Sequence, residues 1–484
     1  MPTRPNVVFI LVDDMGYGDF SAFNGGLSQT PVLDDLMDES VCFTQHYTGS
    51  PVCNPSRACL MTGRYPHRTG SVDTLEWRGL ERLALRERTL ADMLQRDGYA
   101  TGLVGKWHLG AFDNRYHPCN RGFDEAVCFR GGMHDYYDWR LEYGTERVRH
   151  GDGTYLTDVW TSEACDFLRR HQDEPFFLHV TYNAPHTPLQ VPQEEADLFL
   201  GQEGLNWGVA TLYGMIHRMD SGVGQILGTL DELGLRDNTI VAFCSDNGPQ
   251  FGGQGDECTT RFDCEYNGAK GSVYEGGIRV PLLLRWPAGL DSVGHNPSVD
   301  NDTLVGGASS PDGTRCDAMV HMSDWLPTLL AMTGVPHPAD APALDGVNVL
   351  PVIRGERDTG CTTRCWQWNR YTPLIESNAA IRSGDWKLVR PGIAETFAVP
   401  DIEWLDVCMY DHDRMIEHGV IQDPEPERTV PPPPVPQLYN IASDPLERTD
   451  LATQEPDTAR RLLRELENWF ESVDAERRTI DDQW

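Results

Sequence analysis

The chain has 484 residues and a formal net charge of −34, from 74 acidic against 40 basic side chains. That field favours solubility and opposes nonspecific binding to nucleic acid, and it argues against a long polyanionic substrate unless a local basic pocket overrides the average. At 39% hydrophobic content the chain can bury a large domain and a smaller one, and no stretch approaches the roughly 20 apolar residues that cross a bilayer.

Met1–Pro5 runs straight into the apolar segment Val7–Val12, which lacks the length and cleavage site of a signal peptide, so the expectation is a cytoplasmic protein with no membrane partner. Asn6–Val12 reads as a parallel strand buried on both faces. It ends in Asp13-Asp14-Met15-Gly16-Tyr17-Gly18-Asp19. Adjacent carboxylates at the end of a buried strand repel, so a cation or strong donors must offset the cost; oxygen ligands suit calcium or magnesium. An acidic turn capping a helix is the plainer alternative. Thr30–Ser40 reads as a short helix, and Cys42–His46 leads on to Ser50–Gly70. There Cys53-Asn54-Pro55-Ser56-Arg57 is followed by Leu60-Met61-Thr62-Gly63. Cys53 alone suits a buried structural thiol; Arg57 beside the amides of a helix N-terminus suits an anion.

After a helical Thr89–Arg96, the strand Tyr99–Gly105 leads into Lys106-Trp107-His108. Lys106 and His108, two apart, point to one side and suit an anionic ligand; a salt-bridged lysine and a packed histidine are the alternative. Phe123–Trp139 reads as an irregular aromatic loop with Met133-His134-Asp135, either rimming a pocket or simply packing. Pro175–Tyr182 is a further strand, and beyond it His186 is stiffened by Pro185 and Pro188. Gly208–Leu233 is a helix with a core-facing stripe from Leu212 to Ile226, on which His217 is a surface or core residue. Thr239–Ser245 is a buried strand ending in Asp246-Asn247. A glycine-rich stretch then reaches Lys270, and Leu282–Arg285 follows as a strand. Strands separated by helices imply a parallel α/β sheet, whose ligands bind beyond the strands' carboxyl ends. Asp13 and Asp14, Lys106 and His108, His186, and Asp246 and Asn247 all fall at such ends, which predicts a single site.

Val320-His321 reads as a strand entering a helix, and Asp345–Arg354 as the last element of a first domain, 1–354. Residues 355–484 differ in texture. Ala379–Val389 is a hairpin turning at Ser383-Gly384-Asp385, Pro431–Pro436 is a stiff connector, and Gln437–Asn440 is short and extended. Leu462, Leu463, Leu466, Trp469, Phe470 and Val473 form the stripe of a closing helix. Trp366-Gln367-Trp368 either stacks on a sugar or aryl ring or packs between domains. Thirteen scattered cysteines fit reduced thiols; Cys258 with Cys264 and Cys361 with Cys365 lack partners at zinc spacing, leaving a disulfide or metal role as the minor alternative.

The cysteine signature resembles that of the formylglycine-dependent type I sulfatases of the alkaline-phosphatase superfamily. So do Asp13-Asp14, Gly105-Lys106-Trp107-His108, Ala184-Pro185-His186, Ser245-Asp246-Asn247, Lys270-Gly271, Ile381–Lys387 and Leu438–Pro445, all in the family's order. The resemblance implies a large, mostly parallel or mixed sheet sandwiched by helices. A smaller C-terminal α+β domain, a short antiparallel sheet plus helix, would pack on the active-site side. It implies one calcium ion at Asp13, Asp14, Asp246, Asn247 and position 53, where a formylglycine-generating enzyme oxidises Cys53. Arg57, Lys106, His108, His186 and Lys270 would surround the sulfate. In the implied mechanism the aldehyde hydrate attacks sulfur with Asp246 as base, His186 or Lys270 protonates the leaving alcohol, and His108 serves the release of sulfate. The expected substrate is a sulfated saccharide or small aryl sulfate. Met133 stands where many relatives carry serine, so the resemblance assigns no role to that loop. The alternatives are a phosphonate monoester or phosphodiester hydrolase of the same superfamily and a non-catalytic binder of sulfated ligands.

Overall fold

A strand with no polar face must be covered on both sides, and this requirement organises the fold. The computed structural model describes residues 4–252, 258–290 and 314–480; residues 253–257 of the glycine-rich stretch lie outside the described residues. The strands are β1 (Asn6–Val12), β2 (Val41–Phe43), β3 (His46–Tyr47), β4 (Ala100–Lys106), β5 (Glu125–Phe129), β6 (Arg140–Tyr143), β7 (Arg147–His150) and β8 (Phe176–Thr181). After them come β9 (Thr239–Ser245), β10 (Leu282–Arg285), β11 (Thr314–Cys316), β12 (Val320–His321), β13 (Thr363–Gln367), β14 (Ala379–Ser383), β15 (Trp386–Arg390) and β16 (Gln437–Asn440).

Ten strands form one sheet in the order β11-β2-β10-β9-β1-β8-β4-β5-β6-β7. Its centre is parallel: β1 pairs with β8 and β9, and β4 with β8 and β5. Strand alternation sends Val8, Ile10 and Val12 of β1 into one core with the Leu156–Arg170 and Trp207–Glu232 helices. Val7, Phe9 and Leu11 enter the opposite core with the Cys53–Thr62, Leu90–Arg96 and Trp325–Thr333 helices. Each fully buried aliphatic side chain of this kind stabilises the fold by roughly 1.5–3 kcal/mol. A polar Asn, Asp or Lys at one of these positions would therefore break the core it faces, and two at adjacent positions would break both.

The sheet is mixed where the sequence pattern was least informative. β10 runs antiparallel to β9 and β2, and the Phe123–Trp139 stretch, expected as a loop, contains β5, with β6 and β7 extending an antiparallel edge. Cys42–His46 divides between β2 of the large sheet and β3, which pairs with β12. The helix expected at Thr30–Ser40 spans Pro31–Asp38, its first turn capped by the Asp220 carboxylate, which accepts the amides of Val32 and Leu33.

The C-terminal portion forms a four-stranded antiparallel sheet, β13-β14-β15-β16, covered by the Pro456–Arg477 helix. The β14–β15 hairpin turns at Gly384, whose φ of +60° suits glycine. Leu462 and Leu466 of the helix pack on Ile381 and Leu388. Pro431–Val435 is exposed and irregular, as a connector should be. Trp366 settles between the sheets: its Nε1 donates to the Thr48 carbonyl at 2.7 Å and its ring meets Tyr47 and His321. Two short helices the sequence pattern did not announce, Glu403–Tyr410 and His412–His418, fold back over the large domain. All thirteen cysteines are free thiols, and no described helix is long and apolar enough to cross a membrane.

Candidate active site

β1, β4, β8 and β9 end side by side, and everything polar that the sequence placed at those ends converges. Asp13 and Asp14 follow β1; the Asp14 amide reaches Asp246 Oδ1 at 3.3 Å and the Met15 amide reaches Ser245 Oγ at 3.0 Å, so β1 and β9 are tied at the site. Asp14 sits at φ +68°, a left-handed conformation uncommon outside glycine. Lys106, the last residue of β4, donates to Asp13 Oδ2 at 2.5 Å. Lys270 bridges both Asp14 oxygens at 2.7 and 2.8 Å.

Cys53 opens the Cys53–Thr62 helix, and Arg57 lies one turn later on the same face. Arg57 grips Asp246 Oδ2 through Nε at 2.9 Å and Nη2 at 2.7 Å, while Nη1 donates to the Lys106 carbonyl at 3.0 Å. His186, beyond β8, donates Nδ1–H to the Thr187 carbonyl at 2.7 Å, which leaves Nε2 unprotonated and 3.7 Å from Asp14 Oδ2. The Tyr136 hydroxyl holds this turn by donating to the His186 carbonyl at 2.8 Å. Cys53, Arg57, Lys106, His108, Asp13, Asp14, Asp246 and Asn247 are each at most 3% exposed, and His186 is 7% exposed.

The electrostatics divide the carboxylates. Burial pushes Asp13 up, but Lys106, Arg57 and Lys270 outweigh it and hold its carboxyl well below the ordinary range. Burial and the neighbouring Asp13 together push Asp246 up to about 7 despite Arg57. Burial, Lys270 and Lys106 lower His186 to about 4, so its imidazole rests neutral. Burial likewise lowers His108, reinforced by Lys106 and Arg57. Burial raises the Cys53 thiol, leaving it protonated and a poor nucleophile as it stands.

Two oxygens test the expected cation. Asp13 Oδ1 and Asn247 Oδ1 are buried without a hydrogen-bond partner; Asn247 Nδ2 donates to Asp14 Oδ1 at 2.7 Å, so a cation shared with Asp14 requires the amide's oxygen and nitrogen to exchange places. Ligand atoms of Asp13, Asp14 and His186 also lie within 4.8 Å of one another. Unpaired hard oxygens beside a carboxyl that burial and a like charge hold near 7 fit a divalent cation.

Some expectations resolve differently. The candidate loop residue His134 is buried and lies face to face with His412 of the His412–His418 helix, ring centroids 3.9 Å apart and 4° from parallel. Trp368 lies tilted at 38° against Phe397, with Arg370 over its face and its ring edge against Gly271, the neighbour of Lys270. His217 pairs with Glu195 at 2.6 Å on the far helix, away from this chemistry. Glu76 went unnoticed: it lies in an irregular stretch with no periodicity, yet its carboxylate sits 3.7 Å from His108 Nε2.

Residues 5–335 match the sulfatase family. The chain is 28% identical to the N-acetylgalactosamine-6-O-sulfatase of Bacteroides thetaiotaomicron, over 96% of this chain and 93% of that protein. It is 32% identical to the Homo sapiens N-acetylgalactosamine-6-sulfatase, over 73% of this chain and 66% of that one. The crystal structure of Ps i-CgsB in complex with k-i-k-neocarrahexaose superposes with a TM-score of 0.74 at 29% identity, covering 96% of this chain and 93% of that one. A phosphonate monoester hydrolase from Agrobacterium radiobacter shares the fold, with a TM-score of 0.61 at 21% identity, covering 98% of this chain and 96% of that one.

Proposed function

The chain belongs to the sulfatase family and is a sulfuric ester hydrolase; on that premise we propose that it removes a sulfate monoester from a sulfated saccharide, using position 53 and a calcium ion. The observation that carries this reading is the buried cationic cradle of Arg57, Lys106 and Lys270, set around Cys53 and steadied by Asp246, Asp13 and Asp14. The sugar preference rests on relatives named as N-acetylgalactosamine sulfatases and on a related structure in complex with k-i-k-neocarrahexaose.

Asp13, Asp14, Asp246 and Asn247 would hold the cation, which supplies charge stabilisation at the sulfate oxygens. Oxidation of Cys53 to formylglycine would supply the nucleophilic oxygen that its protonated thiol does not. The remaining work belongs to the chain itself. Arg57, Lys106 and Lys270 face charge that grows on sulfate oxygens during attack, and in a water-poor site such preorganised donors are the largest catalytic contribution. Asp246, held near 7, is poised to accept a proton from the nucleophile at neutral pH. Lys270 is kept firmly protonated by Asp14 against the effect of burial and can donate to the departing alcohol oxygen, while neutral His186 orients that group through Nε2. His108 accepts the proton when sulfate leaves. The smaller sheet closes the site through Trp368, whose buried Nε1 has no partner and can serve a sugar hydroxyl.

The test is hydrolysis of p-nitrophenyl sulfate beside a p-nitrophenyl phosphonate ester and a sulfated N-acetylhexosamine. Calcium is present and the protein is co-expressed with a formylglycine-generating enzyme. Turnover of both sulfates, lost completely in Cys53→Ala, is expected. Preference for the phosphonate would replace the reaction, and wild-type turnover by Cys53→Ala would remove the whole scheme.

A further inference from the structure

Glu76 lies outside every motif and outside the set Arg57, Lys106, His108, His186, Asp246 and Lys270. It opens a single 3-10 turn, Glu76–Arg78, and is 2% exposed. A carboxylate so buried needs donors or a charge to face. Its Oε1 accepts the Gly132 amide and stands 3.7 Å from His108 Nε2; no arginine or lysine forms an ion pair with it among the described residues.

His108 is prepared for such a neighbour. Its backbone is fixed at φ +55°, its amide donates to the Arg130 carbonyl at 3.1 Å, and its own carbonyl accepts Asn54 Nδ2 at 2.6 Å. The main chain is thus pinned to the residue that follows Cys53; neither buried ring nitrogen has a hydrogen bond of full geometry, and besides Glu76 the Thr74 backbone lies close enough to favour a proton on the ring. Gly132 makes the meeting possible. A Cβ there would lie 2.6 Å from His108 Cε1 and 3.0 Å from Glu76 Oε1, so any side chain would force the pair apart.

We propose that Glu76 is the positioning residue for His108, orienting the imidazole from behind and stabilising the imidazolium it becomes when it takes a proton during turnover. Carboxylate partners of this kind set ring orientation and basicity, and losing one typically costs about 10–100-fold in activity. The proposal rests on the sulfatase reading above, in which His108 serves the release of sulfate. It assigns to Glu76 the second half of the cycle and leaves substrate binding to the cationic cradle.

The decisive variant is Glu76→Gln, which keeps the shape and the acceptor for Gly132 but removes the charge. With p-nitrophenyl sulfate, kcat is expected to fall about 10–100-fold with KM within about twofold. Stopped-flow mixing should reveal a burst of nitrophenol stoichiometric with enzyme before the slowed steady state. Glu76→Asp should recover part of kcat. A second readout needs no turnover: in unmodified protein carrying ring-labelled histidine, Glu76→Gln should move the NMR resonances of the ring that vanishes in His108→Ala. Unchanged kcat and an unmoved His108 resonance in a folded Glu76→Gln protein would overturn the proposal. Absence of sulfate turnover in the wild type would instead remove the sulfatase reading, leaving the NMR comparison to decide the Glu76–His108 pairing alone.

Discussion

Two clusters of buried charge lie in this molecule, and they differ in what they leave unfinished. Around Lys387, fully buried in the smaller sheet, Glu275 and Glu447 approach at 2.8 and 2.9 Å; Glu275 also accepts the Tyr47 hydroxyl, and Glu447 accepts the Glu275 amide. Glu447 Oε1 completes no hydrogen bond but lies against the Lys387 ammonium, whereas around Cys53 Asp13 Oδ1 and Asn247 Oδ1 have neither a hydrogen bond nor an ion pair among the described residues. Both clusters push one carboxyl up to about 7: burial raises Glu447 against the pull of Lys387, with Glu275 adding to the rise, and burial together with Asp13 raises Asp246 against Arg57. Perturbed ionisation therefore does not distinguish a joint from a catalytic site. Buried oxygens at strand ends with neither a donor nor a cation beside them do.

The sharpest test exchanges the two roles. Lys387→Met leaves two carboxylates buried without their cation and should cost about 3–5 kcal/mol of stability, read as a lowered thermal midpoint. The molecules that remain folded should keep their kcat. Asp246→Asn should do the reverse, lowering kcat by on the order of 10²–10⁴-fold with a smaller fall in the midpoint. A Lys387→Met protein of normal midpoint and lost turnover would reverse the assignment.

A smaller effect separates the clusters by what they bind. Calcium at a hundredfold excess over its Kd should raise stability by about 2.7 kcal/mol, measured by thermal melts in chelator and in calcium. Asp13→Asn should abolish the gain, and Lys387→Met should show it undiminished because the sites are independent. No gain in the wild type would leave the two orphan oxygens unexplained.

The smallest effect concerns the helical segment that folds back over the site. Burial, then Arg140, lowers His412 to about 4 from an ordinary value of 6.5, and burial, then His412, lowers His134. Both folded values lie below the unfolded one, so the stacked pair contributes stability that is present above pH 6.5 and is lost as pH falls towards 4. Hydrogen exchange across residues 403–418 should accelerate over that window while β1 stays protected. His412→Phe should flatten the response, and exchange independent of pH in the wild type would sink the idea.

What the sequence revealed follows from the same contrast. Continuous apolar runs such as Asn6–Val12 and Thr239–Ser245 announce central strands, and the groups at their ends must meet because parallel strands finish together. Asp13, Lys106, His186 and Asp246 were therefore legible in position. The edge was not: β5 to β7 are half-solvated and mix polar with apolar residues, so their period is weak. The helices at 403–418 are a single turn or two and owe their docking to Trp77, Tyr371 and Phe129, neighbours distant in sequence. Glu76 has no local signal at all; only the folded backbone brings it, through Gly132, to His108.

Cys53 is 3% exposed, and every residue of the helix it opens is buried. No second enzyme can close around such a side chain once the domain has formed. Any catalyst that rewrites Cys53 must meet it on the newly made chain, before β1 finds β9, and folding becomes a deadline for maturation. On the proposed oxidation of Cys53, that timing would explain a contrast in the sequence. The carboxylates and cations of the site are scattered over more than two hundred positions because only the finished fold has to assemble them. The residues about Cys53 are packed into one contiguous phrase, as a segment that had to be legible while the polypeptide is still extended would be.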